Sequence, residues 1–327
     1  EVARVNGIQN TEFTDDDDGR GLVHGVEYCY LITVFFQDGA ESYASNELCA
    51  YLKKDVPVIT NVSVERTNLT SGEMYVAWSK PTELDTIEVP GPYKYKILRR
   101  DNSAGSQFTL LTTYFNLNDT LFVDSLLNTR DLQYRYRIDL YAGEDETLVG
   151  STVVAPSIYL QTAGTDRVVN LAWNDDVPWY NEQFVIYRQN EVTMEFDSIA
   201  MTDEPFYADT GLINGKLYCY KVKTIGAYAA TGIVDPIINF SQVNCGVPVD
   251  NMPPCIPELT VETNCLDMVN ELSWTYPDSC TEERLKFFIF YAGISDSDYL
   301  LIDSTDYIEP ENTSDYTYTF ITTPPSV

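Results

Sequence analysis

Three tryptophans recur in matching contexts, and their spacing limits what this chain can fold into more than any other feature. They lie in the segments MYVAWSKP, VNLAWNDD and NELSWTYP as Trp78, Trp173 and Trp274, and they are 95 and 101 residues apart. Spacings of that length match a whole small domain and are too long for a solenoid unit. The sequence therefore predicts a chain of repeated domains.

Short strand-like runs accompany each tryptophan. A second run follows it, as YKYKILRR (93–100), FVIYRQ (184–189) and KFFIFYAG (286–293). A third kind of run carries paired tyrosines, as EYCYLITV (27–34), QYRYRIDLY (133–141) and LYCYKVKT (217–224). The tyrosine-rich composition favours strands, turn residues separate the runs, and no long segment has helical apolar spacing. We therefore predict an all-β chain of tandem antiparallel β-sandwiches, each of about 90 to 100 residues.

The order of these features resembles the fibronectin type III fold, an immunoglobulin-like sandwich. A tryptophan on an early strand is followed by Leu-x-x-Gly-x-x-Tyr, as LVHGVEY (22–28) and LINGKLY (212–218). The middle copy, LLNTRDLQY (126–134), is longer and lacks the glycine. The resemblance implies that the tryptophans are core residues. It also implies tyrosine corners at Tyr28, Tyr134 and Tyr218, where each hydroxyl bonds to a nearby backbone group.

The repeats also predict the domain boundaries. Residues 1–53 hold only the last strands of a first domain, residues 56–156 and 157–248 are complete domains, and residues 252–327 are an incomplete fourth. We expect the chain to be a fragment, or the ordered part, of a longer protein.

Alternation along the strands assigns faces to their side chains. In the middle domain Tyr134, Tyr136, Ile138 and Leu140 point inward, and Arg135, Arg137 and Asp139 face solvent. Overlaying the other copies places Tyr28, Tyr30, Ile32 and Val34 inward, likewise Tyr218, Tyr220 and Val222. Cys29 and Cys219 then lie on the outer face, where a bridge to an adjacent last strand is easy.

Seven cysteines without a CxxC pair favour disulfides in an oxidising compartment over a zinc site. The candidate partner of Cys29 is Cys49, and that of Cys219 is Cys245. In the last domain Cys265 and Cys280 flank the tryptophan strand and could join each other. Cys255 is then left unpaired within the chain.

A narrower resemblance covers the cysteine pattern. DGAESYASNELC (38–49) and PPCIPELTVETNC…LSWTYPDSC (253–280) resemble the fibronectin-type modules of gliding-motility-associated surface proteins. That resemblance implies export by the type IX secretion system, with its translocon as a partner, and a bacterial cell-surface location outside the outer membrane. It also implies O-glycosylation within Asp-Ser/Thr-apolar triplets, at Thr86, Thr120, Ser125 and Ser198.

Charge excludes several function classes. Fifty acidic and twenty basic residues leave a net charge of −30, which is unsuited to nucleic acid or anionic lipid. No apolar run approaches the length of a membrane span. His24, the only histidine, lies in a turn position that Asn214 fills in the third domain, so the sequence predicts no catalytic residue and no enzyme.

Two ligand hypotheses stay open. The run Asp15-Asp16-Asp17-Asp18-Gly19 could attract Ca²⁺, but Thr14 and Gly25 then occupy ligand positions of the calcium loop that they do not suit. A solvated loop is the simpler interpretation, although Ca²⁺ could bind elsewhere on the acidic surface. Trp179 lies in a loop where it could contact a surface glycan.

The sequence thus predicts a non-catalytic, extended surface stalk or spacer that displays or binds a glycan or protein ligand in adhesion or gliding. One alternative is the accessory region of a secreted polysaccharide-degrading enzyme, with Trp179 contacting sugar. Another is a component of the secretion or gliding machinery.

Overall fold

The structure, a computed structural model, describes residues 2–7, 9–36, 38–228, 230–251, 256–267, 269–275, 286–292, 298–306 and 315–321, with the backbone alone for 305–306 and 315–321. The described residues form strands and turns, and no helix capable of spanning a membrane lies among them. The chain divides into two compact units, Glu1–Asp250 and Asn251–Val327.

The N-terminal segment contributes a two-stranded antiparallel sheet, β1 (Glu27–Tyr30) and β2 (Leu48–Tyr51). The predicted inward face is wrong beyond this short strand, because Ile32 is 70% exposed and Val34 is 50% exposed. Among the described residues no second sheet covers that face, so the apolar side chains at alternate positions after β1 are not buried.

The first complete sandwich packs a three-stranded sheet, β3-β4-β7, against a five-stranded sheet. The larger sheet has the order β6-β5-β8-β10, with β9 also paired to β8. Its strands are β3 (Val58–Arg66), β4 (Gly72–Ser79), β5 (Tyr93–Asp101), β6 (Thr109–Tyr114), β7 (Leu121–Leu127), β8 (Tyr134–Ala142), β9 (Thr147–Ser151) and β10 (Ala155–Pro156).

The second complete sandwich repeats this order. The sheet β11-β12-β15 faces β14-β13-β16-β17, with β18 also paired to β16. Its strands are β11 (Leu160–Thr165), β12 (Val168–Trp173), β13 (Tyr180–Gln189), β14 (Phe196–Thr202), β15 (Phe206–Thr210), β16 (Tyr218–Ala227), β17 (Ile237–Phe240) and β18 (Asn244–Gly246).

The second unit has a three-stranded sheet β19-β20-β23 and a pair β21-β22, the order of the first five strands of a complete sandwich. These strands are β19 (Glu258–Asn264), β20 (Val269–Thr275), β21 (Lys286–Tyr291), β22 (Leu300–Asp306) and β23 (Asp315–Ile321). Trp274 is 6% exposed, and its ring lies 5.4 Å from that of Phe287. The predicted fold class, tandem fibronectin type III-like sandwiches, is confirmed.

The cores follow from the alternation read in the sequence. Trp78 and Trp173 are buried on β4 and β12, and each ring meets an aromatic side chain of the opposite sheet edge to face, Tyr95 and Phe184 respectively. One residue departs from the prediction: Asp139 of β8 is on the outer face but only 3% exposed. The guanidinium of Arg137 covers it, with two hydrogen bonds of 2.8 and 3.0 Å.

Candidate functional site at the junction of the two complete sandwiches

The predicted corner tyrosines each accept a backbone hydrogen bond. The phenolic oxygens of Tyr28, Tyr134 and Tyr218 accept from the amides of Val23 (2.9 Å), Asn128 (3.2 Å) and Ile213 (3.1 Å). The longer middle copy therefore reaches the same geometry without the glycine. These bonds satisfy amides in the turn that leads into each tyrosine strand, and they fix its path.

Both predicted cross-strand pairs are disulfides in the structure. Cys29 lies directly opposite Cys49, and Cys219 lies opposite Cys245, each pair with its Cα atoms 4.0 Å apart. Such bridges indicate an oxidising environment. Cys265 is exposed and has no disulfide partner among the described residues, and Cys255 and Cys280 lie outside them.

A buried acidic residue links the two sheets of each complete sandwich, and the sequence did not reveal it. In the first sandwich Asp124 of β7 accepts from Arg99 of β5 (2.6 Å) and from the hydroxyl of Tyr136 on β8 (2.8 Å). In the second, Asp209 of β15 accepts from Arg188 of β13 (2.7 Å) and from the hydroxyl of Tyr220 on β16 (2.8 Å), which repeats the arrangement of the first.

Both carboxylates are nearly inaccessible, with Asp124 and Asp209 each 6% exposed. Burial and the adjacent carboxylate raise the pKa of Tyr136 and of Tyr220, so both phenols keep their protons. A buried charge is tolerated here because each has a cation and a hydroxyl donor. The sequence signal was an Asp followed by Ser or Thr at matching positions of β7 and β15, in VDS (123–125) and ADT (208–210).

His24 and the four residues predicted to be glycosylated were the candidates for catalysis and for modification. His24 Nδ1 lies 2.6 Å from the Lys53 carbonyl and 2.9 Å from the Asp55 carboxylate, which ties its turn to the start of the first complete sandwich. Thr86, Ser125 and Ser198 are exposed and Thr120 is half-buried. Glycosylation of these residues stays a prediction.

The aspartate run is held by its own neighbours. Asp15 accepts the hydroxyl of Tyr30 at 2.8 Å, which raises the pKa of Tyr30 to about 12, and Asp17 pairs with Arg20 at 3.0 Å. Within the described residues, the ligand atoms that cluster tightly enough for a metal belong to Glu27, Cys29 and Cys49, and the two sulfurs form a disulfide.

The predicted glycan contact at Trp179 is wrong. The side chain is 5% exposed, its ring meets Tyr228 edge to face at 6.1 Å, and its Nε1 donates to Asn181 Oδ1 at 3.1 Å. The loop after the tryptophan strand folds onto its own domain, because Tyr228 offers an apolar partner there. No face of this indole is available to stack on a sugar.

A buried surface outside the cores lies at the junction between the two complete sandwiches, which we define as Lys54 and β3 on one side and residues 228 and 230–243 on the other. Strand β3 is buried on both faces, with Thr60 3% and Ser63 2% exposed. Its counterpart β11 keeps exposed residues. An outer strand of a sandwich ordinarily has one solvated face, so β3 is covered by something more than its own sheet.

Strand β17 and the residues after it provide that cover. Asn61 Nδ2 donates to the Ile238 carbonyl (2.8 Å), and the Val62 amide donates to Asn239 Oδ1 (2.9 Å). Further along, the Phe240 amide donates to Ser63 Oγ (3.1 Å) and the Val243 amide to Thr67 Oγ1 (2.7 Å). Residue numbers rise together on both sides, so the two strands run in the same direction, joined through side chains.

The loop between β16 and β17 closes the upper end of the junction. The hydroxyl of Tyr228 donates to the Ile59 carbonyl at 2.7 Å, and burial raises the pKa of Tyr228 well above its ordinary value. Lys54, 3% exposed, donates from Nζ to the Gly232 carbonyl and to Ser79 Oγ, both at 2.8 Å. Burial lowers the pKa of Lys54.

The connection between the sandwiches is also fixed. Gln133 Nε2 of the first sandwich donates to the carbonyl of Ser157 in the connecting segment (2.9 Å), and Arg135 pairs with Asp176 at 3.1 Å across the boundary. Buried apolar side chains form one continuous cluster from Val23 through both sandwiches. The two complete sandwiches therefore form one connected unit.

Sequence reasoning missed the junction, although a signal existed. Residues 56–64 and 237–249 contain no charged side chain, in a chain with a net charge of −30. In so acidic a chain, a strand with one solvated face is expected to carry charged residues on that face. Two stretches without any charge therefore indicate surfaces that are covered, here by each other. The junction consists of packed side chains and of hydrogen bonds shielded from water, and these contacts hold the two modules together.

No family model matches the chain, and no curated protein is similar to it at a significant level. Among solved structures it is similar to the central fibronectin-III array of RIM-binding protein, with 14% identity, a TM-score of 0.23, and coverage of 67% of this chain and 80% of that one. It is also similar to the chicken interferon gamma receptor alpha chain, with 13% identity, a TM-score of 0.22, and coverage of 59% and 100%. At these scores the fold assignment rests on the strand order of the chain itself.

Proposed function

We propose that the chain is a non-catalytic spacer of tandem sandwiches that holds another part of its protein, or a ligand, at a fixed distance from the cell surface. The observation that carries the proposal is the junction, where two consecutive modules share a buried flank and so keep a fixed relative position. A catalytic domain needs converging reactive groups, whereas a spacer needs rigidity between modules.

The proposed location is extracellular, on the bacterial surface outside the outer membrane. Two cross-strand disulfides support an oxidising compartment. The resemblance of the cysteine-bearing segments to gliding-motility-associated surface proteins supports export through the type IX translocon. A role in adhesion or gliding follows from that route.

Surface labelling in the source organism tests the proposal. We expect an antibody against residues 56–248 to label intact cells, and deletion of the type IX translocon to abolish this labelling while the protein accumulates inside. A periplasmic protein serves as the control for cell integrity. Labelling that requires lysis would overturn the location, and co-purification in a stable outer-membrane complex would favour the machinery alternative.

A further inference from the structure

The junction lies where the chain enters the first complete sandwich. Lys54 immediately precedes that sandwich, and its Nζ bonds to Gly232 of the second sandwich. Ile59, near the start of β3, bonds through its carbonyl to Tyr228, also of the second sandwich. The entry point of one module is thus attached directly to the next module, through a contact between residues 178 positions apart.

This attachment gives tension a second path. A pull on residues before Lys54 and after Val249 could travel through the whole first sandwich and the segment 157–159. It could instead cross from Lys54 and β3 to β17, and leave through β18 and Val249, whose amide donates to the Thr165 carbonyl of β11 at 3.2 Å. The second path is shorter and contains no strand that must unfold before the load passes.

The geometry of the second path favours resistance. Strands β3 and β17 run in the same direction, so tension draws β3 toward its beginning and β17 toward its end. The bonds at Asn61, Val62, Ser63 and Thr67 are then loaded together in shear and cannot open one at a time. Asn239 is fully buried and Tyr228 nearly so, and hydrogen bonds shielded from water are electrostatically stronger.

We propose that the junction is a load-bearing lock, which carries tension past the first complete sandwich and keeps that module folded until the lock breaks. The inference deepens the proposed spacer role and rests on it for its biological meaning. The mechanical resistance itself is a property of the purified protein and can be measured independently of that role. Forced unfolding is governed by the rate of crossing the unfolding barrier, so the lock acts by slowing that first step.

Pulling the full chain in optical tweezers, with handles at its two ends, tests the lock. The first sandwich should lengthen the tether by roughly 30 nm, and the second by roughly 20 nm because Cys219–Cys245 withholds the residues between them. In the unmodified protein we expect one merged step of roughly 50 nm, since the load released by the lock reaches both modules at once.

The variant Lys54→Met/Tyr228→Phe removes three hydrogen bonds and little volume. We expect its two steps to separate, with the first rupture at least about tenfold faster at equal force, the effect of losing hydrogen bonds of ordinary net strength. The control Tyr93→Phe removes a bond of the same chemistry to the Val89 carbonyl, 2.6 Å, inside the first sandwich. It should leave the merged step intact.

Two independent steps in the unmodified protein, at the forces found for the double variant, would overturn the lock. So would a small early extension that precedes both steps at low force. Circular dichroism of each variant establishes that it is folded before pulling. Because the tweezers use purified protein, failure of the surface labelling leaves this result unaffected, and the converse also holds.

Discussion

At the scale of single residues, the carboxylates of Asp124 and Asp209 each connect the two sheets of a sandwich. Each lies on the smaller sheet and binds an arginine and a tyrosine of the larger one. Hydrogen bonds to charged groups contribute more than neutral ones, and a buried donor left without its partner costs further. The same arrangement in two modules indicates that it serves the fold.

Replacing Asp209 by alanine should therefore destabilise the second sandwich. It leaves the hydroxyl of Tyr220 buried without an acceptor and deprives half-exposed Arg188 of its carboxylate, at a cost of about 2–4 kcal/mol. Urea unfolding followed by tryptophan fluorescence measures the change. Asp197→Ala, at an exposed residue that accepts from Asn190 Nδ2, is the matched control and should cost little. Equal costs for both variants would contradict the structural role.

These residues also mark how far sequence reasoning reaches at this scale. The corner tyrosines could be placed because donor and acceptor lie within six residues of each other. The triplet at Asp124 suggested glycosylation of Ser125, whereas the carboxylate itself is engaged with Arg99 and Tyr136. The arginine is 25 residues away on another sheet, and a single sequence does not show which arginine an aspartate will meet.

At the scale of strands, alternation predicted the inner faces of β8 and β16 and, through the outer positions, both cross-strand cysteine pairs. It did not reveal that both faces of β3 are buried, because the second face is covered by residues about 177 positions later. Period-two patterning reports which face is buried by the strand's own sandwich. Alternation does not show whether the other face of a strand is exposed to solvent or covered by a neighbouring module.

The bridge between β16 and β18 should stabilise the second sandwich by restricting its unfolded chain. Cys219 and Cys245 are 26 residues apart, and a loop of that size corresponds to about 3 kcal/mol in the chain-entropy model. We expect Cys219→Ser/Cys245→Ser to lower the midpoint of thermal unfolding, and a reductant to do the same in the unmodified protein. A reductant that leaves the unmodified protein's midpoint unchanged would contradict this prediction.

The first complete sandwich supplies a control within the same molecule, because residues 56–156 contain no cysteine. Hydrogen exchange resolves the modules separately. Reduction should speed exchange in β16 and β18 directly, and in β4 and β8 only through the junction. Equal acceleration at all four strands would mean that the disulfide acts on the pair of sandwiches as a whole.

At the scale of the whole molecule, one continuous apolar cluster has members from Val23 to Ile237, although these belong to three predicted domains. The tryptophan spacing predicted repeated cores, and Trp78, Trp173 and Trp274 are each buried. The coupling could not be predicted, because it depends on two uncharged surfaces whose complementarity appears only after both sandwiches have folded. Modules that fold separately can still unfold together when their interface is apolar and desolvated.

Buried tyrosines distributed over both sandwiches make the stability of this unit sensitive to alkaline pH. Burial is the largest cause that raises the pKa of Tyr95, Tyr136, Tyr220 and Tyr228 above the ordinary phenol value of 10.0. The folded state holds these protons at pH values where the unfolded chain has released them. Stability from these groups is therefore complete below pH 10.0, and it falls as the pH rises from there toward the folded-state pKa values.

Titration followed by the ultraviolet absorbance of tyrosinate measures this effect. Freely accessible phenols ionise near pH 10, and the buried set should ionise only in a later cooperative step that coincides with loss of the β-sheet circular dichroism signal. Tyr228→Phe removes one phenol from the junction and should diminish the amplitude of that later step. Smooth ionisation of all tyrosines before any loss of sheet structure would show that these phenols are accessible in the folded protein, contrary to the packing described for the junction and the cores.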